Sequence, residues 1–589
     1  MKKYLKSVCL LIGSGSAIAG YWIANDLFGP FSAVRRYGRM PGGPDWAFSI
    51  PKSELLWYAS GLFSISALVL VFFGLSHIAP QLKGRKPRQV GFICAIAAIL
   101  FSFALRLGVL HGAPTCDDEM VYQFQARTLA SGHLTAAPPP DPKAFEHLFL
   151  GIYKGHWFGQ YNFGHPLFLA IGEILRAIDL VDPILTGILV MAVFLLAERL
   201  FGRQAAMVSA VLAAISPMFI STGATLLSQN SATPLILFSV ITALVAASSG
   251  RFVHAFFSAL LLGAAAWSRG QEPVLLGLCP MILIVLRIIR GPSRINLIAG
   301  ITAGAVLSIG PLLLLQWHLW GNPFWTNYQA YWWGYLNTPL RSPYGFGPAP
   351  WDILHTPAAG LKSLIQNLIR LDSFLIGVPL ALVLAAIAFW PERRRPEVLA
   401  VFAGTPLTCG VLFFYFWPGL ADTGPQLYHA AGAMLLPFVA AGLLRLSFAK
   451  AKPILIAVSI ALISAATFWP VQIKALQNIA WWADEIPRLV RKAGSQRAIV
   501  FTEMRPWIGG YNRCWVLGRP LPEPDLSDPV LYLHTQGKPV DEALSMRLYP
   551  YRPAYLLRQI DGKAALVRLE DFFGRDSLLA IAGVRELRP

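Results

Sequence analysis

Three acids stand side by side in the stretch TCDDEMVYQFQARTLASGHL: Asp117, Asp118 and Glu119, just after an apolar run. Carboxylates this close repel one another, and beside a low-dielectric slab each also loses hydration, so the arrangement is costly unless it is used. One use is general-base catalysis, in which an aspartate takes the proton of a hydroxyl as that hydroxyl attacks. Adjacent acids raise one another's pKa, which suits a base, and a divalent metal could instead neutralise them. The plain alternative is the solvated first turn of a surface helix, where acids complement the helix dipole. The apolar positions Val121, Phe124, Leu129 and Leu134 suggest an amphipathic helix lying along the membrane surface.

Four further side chains are candidates for binding. The short loops SQNS (228–231), SRGQEP (268–273) and PGLADTGPQ (418–426) contain a single basic residue, Arg269. Such an arginine is a candidate anion ligand, a lipid-linked phosphate being the natural anion; the alternatives are a pair with Glu272 or snorkelling to headgroups. Arg341 and His355 lie among Trp317, Trp320, Trp325, Trp332, Trp333 and Tyr335, aromatics typical of an interfacial belt and less often of a sugar platform. His165 opens a short apolar segment, and His429 sits inside an apolar run, where a hydrogen-bonded histidine is the ordinary finding.

The elements that must position these groups are membrane helices. The chain has 589 residues, 55% of them hydrophobic and only 14% charged, with mean hydropathy +0.53. Apolar runs long enough to cross a hydrocarbon core of ~30 Å recur from end to end. The start, MKKYLKSVCLLIGSGSAIAGYWIA, has the build of a signal peptide, but its long apolar run favours a retained first helix. The net charge of +18 does not indicate nucleic-acid binding, because much of it sits in runs beside apolar segments: LKGRKPR (82–88), RIIRGPSR (287–294), PERRRPE (391–397) and RLSFAKAK (445–452). Those runs mark cytoplasmic loops meeting anionic membrane lipid. The six cysteines have no zinc spacing, and a Cys116–Cys514 disulfide is one option.

Thirteen spans are expected: 5–24, 55–79, 90–111, 183–201, 205–227, 232–249, 252–268, 271–287, 295–317, 372–390, 397–417, 427–447 and 453–470. Segment 165–178 is too short to cross at ~1.5 Å per residue, so it reads as a juxtamembrane or re-entrant helix. With Lys2, Lys3 and Lys6 inside, every strongly basic short loop then falls in the cytoplasm. Segments 112–182, 318–371 and the tail share the outer face. Residues 1–470 form an all-α polytopic bundle. The tail, 471–589, reads as a small soluble α/β domain with strands at AIVF (498–501), VLYLH (530–534), AYLLR (554–558) and AALVRL (564–569) and a helix at 538–549. The Pro-rich AAPPPDP (136–142) reads as a loop, and the tail shows no acidic or basic constellation like that of the loops.

DDEMVYQFQARTLASGHL followed by GHWFGQYNFGHPLFLAIGEIL resembles the first outer loop of the membrane-embedded C-type glycosyltransferases, a superfamily that includes protein O-mannosyltransferases and lipid A aminoarabinose transferases. In that pattern an acidic pair precedes a helix, and a Gly-x-Pro-Leu segment, here Gly164 to Leu167, opens a juxtamembrane helix. The resemblance runs in order through ERLFGRQAAMVSAVLAAISPMFIST (198–222), GAAAWSRGQEPVLL (263–276), WGNPFWTNY (320–328) and DTGPQLYHAAGAMLLPF (422–438), roughly residues 90–450. The acidic pair falls on Asp118 and Glu119, with Asp117 an extra acid. Where many relatives have Gly-Pro-Arg-Tyr, this chain has Gly424, Pro425, Gln426 and Leu427.

The resemblance implies a multi-pass protein of the inner membrane, working in the cell envelope, that moves a sugar from a polyprenyl-phosphate donor to an extracytoplasmic polysaccharide, lipid or protein. Asp118 is the expected base, with Asp117 and Glu119 beside it, and Arg269, helped by Arg341, His355 or His165, the expected substrate-binding set. No cofactor is called for, and a divalent metal is the one possible addition. The rivals are a transporter or flippase of a lipid-linked precursor and a non-catalytic scaffold. A transporter would place charges near the midplane and show paired repeats, and neither is visible here.

Overall fold

The computed structural model describes residues 2–28, 52–78, 87–291, 293–337, 342–349, 353–446, 453–494, 496–502, 519–535, 549, 552–560 and 563–569. Among these, nine helices are long and apolar enough to cross a membrane, and up to twelve if each of three bent pairs counts as one span. Phe252–Ser268, at 17 residues, is a shorter apolar helix beside them. The protein is therefore a multi-pass membrane protein.

Three expected spans are broken; the one at 453–470 bends by 44° between Leu455–Ala466 and Phe468–Trp481. The segment expected at 205–227 divides into Arg203–Ile215 and Pro217–Gly223, bent by 53°. Pro217 lacks the N–H that would continue the first helix, and Ser216 caps the second by accepting from Phe219 N. The segment expected at 372–390 is split between Pro357–Ile376 and Ala381–Glu392, which meet at 88°. Gly377 makes this turn at φ 74°, where Ser464 packs so close that no Cβ would fit.

The helix His429–Leu446 sits in the middle of the bundle, with every residue from His429 to Leu443 buried. Such a helix is apolar all round because no face meets water or lipid. Gly442 lets it approach the backbone of Leu384 closely, the usual service of small residues in membrane packing.

The two ends of the bundle differ in charge chemistry. At one end Arg199 pairs with Glu397 at 2.5 Å, and Glu392 takes Arg445 at 2.6 Å and Arg395 at 3.2 Å. These are the helix ends expected in the cytoplasm. At the other end lie the acids, Arg269 and the helix Gly164–Ile174. That helix has 11 residues, about 17 Å of rise, and it does not cross.

The helix Asp117–Ala130 differs from the expected surface amphipath. Glu119, Met120, Val121, Tyr122, Phe124, Gln125, Ala126 and Thr128 are all buried. Val121 and Phe124 pack into a cluster with Trp157, Trp320 and Tyr331, while Tyr122 and Ala126 pack on Leu169, Leu226 and Leu227. The hairpin Leu150–Tyr153 with His156–Gly159 and the C-terminal strands cover the face that lipid would have met. The aromatic belt divides likewise: Trp317 and Phe324 are exposed, whereas Trp320 and Tyr331 are buried in that cluster.

All four tail strands form, as Ala498–Thr502, Val530–His534, Ala554–Ile560 and Lys563–Arg568. They make one mixed sheet, with Ala498–Thr502 parallel to both Val530–His534 and Ala554–Ile560, and Lys563–Arg568 antiparallel at the edge. Alternate residues serve opposite faces. Ile499, Phe501, Leu531, Leu533 and Leu556 pack against the loop cluster that holds Phe124 and Trp157, and Ala498, Val500, Tyr555 and Leu557 pack against Ile486 and Val490 of the helix Glu485–Lys492. Residue 470 falls inside the helix Phe468–Ala483. The helix expected at 538–549 and Cys514 lie outside the described residues.

The charge asymmetry of the ends predicts an orientation. A reporter active only outside the cytoplasm is expected to be silent when fused at Arg393 and active after residue 589. Activity at Arg393 would overturn the orientation and require the 11-residue helix Gly164–Ile174 to be part of a crossing segment.

Candidate active site

Cys116 enters the helix Asp117–Ala130 with extended backbone and offers no side-chain cap. Glu119 closes the first turn instead. Its Oε1 accepts from the Thr115 N–H at 2.9 Å and from the Thr115 hydroxyl, and its Oε2 accepts from the Leu226 N–H at 2.9 Å. Arg106 stands 3.8 Å from Oε2 and is itself bound to Asp179 at 2.8 Å, Gly112 O at 2.8 Å and Ala113 O at 3.1 Å. Glu119 is wholly buried. Its acceptor capacity is spent on holding the helix start, which leaves little for a substrate.

Asp118 has different partners. The nearby Tyr161 hydroxyl and the positive charge of Arg269 both favour its ionised form. Burial raises its pKa, and those two partners hold part of the rise back. Arg269 donates from Nε to Glu272 at 2.7 Å and from Nη1 to Ser228 Oγ at 3.1 Å, which leaves Nη2 for a further acceptor. Tyr122 also donates to Ser228 Oγ, at 2.8 Å, and its ring lies 4.5 Å from that of Tyr161. Tyr328 and Tyr415 feel the fields of both Asp118 and Arg269 and complete an aromatic wall. One carboxylate, one guanidinium and several tyrosines thus lie within one another's electrostatic reach.

Asp117 faces another side. Burial, then the neighbouring Asp118 charge, push its pKa up to about 8, and Arg519 opposes the shift. Its Oδ1 is buried without a hydrogen-bond partner among the described residues. Arg519 comes from the tail, which was expected to contribute no such group. Its Nη2 donates to Glu146 O, and His147 packs beside it.

The remaining candidates are placed as follows. His165 is fully buried, with Nδ1 at 3.1 Å from Ser231 Oγ and Nε2 at 2.9 Å from Leu226 O. Burial lowers its pKa to about 3, so it is neutral, and because a carbonyl only accepts, Nε2 carries the proton. Both nitrogens are engaged in joining Gly164–Ile174 to the bundle. His355 is buried, bonded to Phe413 O at 3.2 Å and packed on Phe346, and no contact joins it to Asp118 or Arg269. His429 bonds Thr233 Oγ1 at 2.8 Å inside the bundle. Arg341 lies outside the described residues. Among those described, no three His, Cys, Asp or Glu side chains converge as ligands of one metal ion.

Sequence reasoning missed Arg106, Tyr161 and Arg519. Arg106 carried a signal, a lone arginine in the last turn of an apolar span, where an unpaired charge is costly. The other two carried none, because their partners are distant in sequence.

Residues 162–311 match the family model described as dolichyl-phosphate-mannose-protein mannosyltransferase. No curated protein sequence matches the chain. Among solved structures the chain is similar to ArnT from Cupriavidus metallidurans bound to undecaprenyl phosphate, at 14% identity over 84% of this chain and 95% of that one, with a TM-score of 0.51. The oligosaccharyltransferase of Archaeoglobus fulgidus is a more distant likeness, at 14% identity over 73% of this chain and 63% of that one, with a TM-score of 0.39. The chain has the fold of the membrane-embedded C-type glycosyltransferases.

The division of labour among the acids is testable through stability. Glu119→Ala leaves the buried Leu226 N–H without an acceptor, at ~1–3 kcal/mol, and strips Arg106 of a counter-charge. A clear drop in melting temperature in detergent is expected, with a smaller drop for Glu119→Gln. An unchanged melt for Glu119→Ala would remove Glu119 from this role.

Proposed function

We propose that this chain, built on that fold, transfers a glycosyl group from a polyprenyl-phosphate donor to an extracytoplasmic acceptor, a polysaccharide, lipid or protein of the cell envelope, from the outer side of the inner membrane. The observation that carries the reading is a buried Asp118 within the field of Arg269, whose guanidinium is fixed by Glu272 and Ser228 through Nε and Nη1. The similar ArnT structure binds undecaprenyl phosphate, a lipid of the proposed donor class.

The reaction needs few parts. The acceptor oxygen attacks the anomeric carbon, the bond from that carbon to the phosphate oxygen breaks, and the phosphate leaves with the electron pair. The acceptor proton passes to Asp118. A phosphate is a good leaving group, so charge stabilisation matters more than a strong general acid, and that role is assigned to Arg269, whose Nε and Nη1 are already bonded to Glu272 and Ser228. Glu272 and Ser228 fix the plane of the guanidinium before the donor arrives, which lowers the ordering cost of binding. In this scheme residues 1–470 carry the transfer chemistry, and the tail, 471–589, covers the site.

Asp118→Asn keeps the size of the side chain and removes the base. Transfer in purified protein is expected to fall by on the order of 10²-fold or more, with insertion and donor binding retained. Wild-type turnover would refute the role of Asp118.

Arg269 separates two readings by a conservative change. A phosphate clamp uses the planar fork of N–H donors, which the point charge of Lys cannot reproduce. Arg269→Lys should then weaken donor use clearly, and Arg269→Ala severely, by ~2–4 kcal/mol of transition-state binding or tens to several hundred-fold in rate. If the residue only ties Glu272 to the helix start, both changes lower the melting temperature and spare the dependence of rate on donor concentration. That second pattern would sink the clamp.

A further inference from the structure

The end of the bundle away from the acids holds its arginines in two conditions. Arg199 is paired with Glu397 at 2.5 Å, and Glu392 takes Arg445 at 2.6 Å and Arg395 at 3.2 Å. Arg251, Arg287, Arg290 and Arg294 have no ion pair among the described residues. The sequence explains the difference. Between Glu198 and Asp352 the one acid is Glu272, and it is bonded to Arg269 at the opposite end of the 20-residue helix Gln271–Arg290, ~30 Å away.

The two turns that carry the four arginines are pressed together. Gly250, at φ 66°, lies so close to Ser293 that a Cβ there would stand 2.3 Å from its Oγ and 4.0 Å from Arg287 Nε. Arg251 follows that glycine, and Arg294 follows that serine. Beneath them Ala246, Ala255, Ile284 and Leu297, one from each of four helices, pack in one buried cluster. Arg287 is half-buried, and its shielded Nε has no hydrogen-bond partner among the described residues. Arg251, Arg290 and Arg294 are exposed. Beside them in the chain stand Ile289 and Ile295, 72% and 80% exposed. The other polar groups here are already engaged: His254 with Ser249 Oγ, and Ser248 with Arg199, through which Glu397 is reached. Four guanidinium groups at one corner repel one another, and the repulsion is poorly screened at the edge of a low-dielectric slab.

We propose that this corner, Arg251 with Arg287, Arg290 and Arg294, binds the phosphate headgroup of an anionic phospholipid, whose acyl chains lie against Ile289 and Ile295. The phosphate supplies the counter-charge that the described chain does not. Arginine suits the task because its planar fork of donors bonds two phosphate oxygens at once. Basic pockets between membrane helices take anionic headgroups in this way, and a zwitterionic lipid brings an ammonium that the same corner repels. One headgroup would join the turns of four helices. The site lies at the end opposite Asp118 and Arg269 and does not depend on the transferase reading.

Full-length, delipidated protein in detergent is titrated with phosphatidylglycerol and, separately, with phosphatidylcholine of the same chains, and bound lipid is counted by native mass spectrometry. Phosphatidylglycerol should be retained in preference. Arg290→Gln and Arg294→Gln should each weaken its retention about fivefold, and replacing all four arginines with glutamine should abolish the preference. Arg445→Gln removes a cation that Glu392 already holds and should leave retention unchanged. In nanodiscs the native protein should melt at a higher temperature with phosphatidylglycerol present than in phosphatidylcholine alone, and the fourfold variant should not. The exposed Arg290 and Arg294 carry the test if the fourfold variant fails to insert. Equal retention of the two lipids would overturn the site. So would a loss on Arg445→Gln as large as that on Arg290→Gln, because retention would then follow the net charge of the whole end. Displacement of phosphatidylglycerol by an equal concentration of inorganic phosphate would assign the corner to a free anion and overturn the lipid.

Discussion

The carboxylate of Glu119 lies between Thr115, Leu226 and Arg106 with no exposure to water, and the geometry of the site depends on where it points. Successive residues of an α-helix are turned by about 100°. With Glu119 locked toward Leu226, Asp118 must project about a quarter turn away and Asp117 about half a turn. Asp118 therefore comes under the influence of Tyr161 and Arg269, while Asp117 feels the charge of Arg519. Three identical-looking acids acquire three environments from one fixed side chain. Arg106 makes the lock affordable, since a buried carboxylate without a counter-charge would protonate or rotate out.

All three carboxyl groups are pushed upward by burial, and their partners separate them. Asp117 is the clearest case. An unfolded aspartate ionises near ~3.9, whereas the folded one holds its proton to about 8. A raised carboxyl pKa means that the folded state binds more protons than the unfolded one, so this group's contribution to stability falls as pH rises from about 4 to about 8. Burial of this carboxyl thus costs folding stability as pH approaches neutrality, a pattern common where residues are arranged for reaction rather than for stability.

Much of this was legible from residue order. Apolar length and the distribution of Lys and Arg locate the spans, the short segment at Gly164, and the acids and Arg269 at one end of the bundle, because hydrocarbon thickness and lipid charge act locally on the chain. Short runs rich in β-branched, leucine and aromatic residues locate the tail strands, because strand preference is also local. The bends at Ser216–Pro217 and Gly377 were not read, since an apolar run looks continuous across them. Nor could the triplet be divided, because what distinguishes Glu119 from Asp118 is Leu226 on one side and Tyr161 on the other. Arg519 was the least legible: it acts on Asp117 only after a sheet assembled from strands at 498–502, 530–534 and 554–560 has packed on the loops.

The pairing of Arg269 with Glu272 bears on how an anion could enter such a site. Glu272 offsets part of the Arg269 charge, so the field that an incoming phosphate would meet depends also on Asp117 and Asp118. If both aspartates were charged, the phosphate would face net repulsion in a medium that screens poorly. A proton retained on Asp117 up to about 8 removes one of those charges near neutrality. The same proton weakens Asp118 as a base, so entry of the anion and removal of the acceptor proton favour opposite states of Asp117. The Arg519 charge, from the tail, opposes the rise of the Asp117 pKa and so bears on that balance.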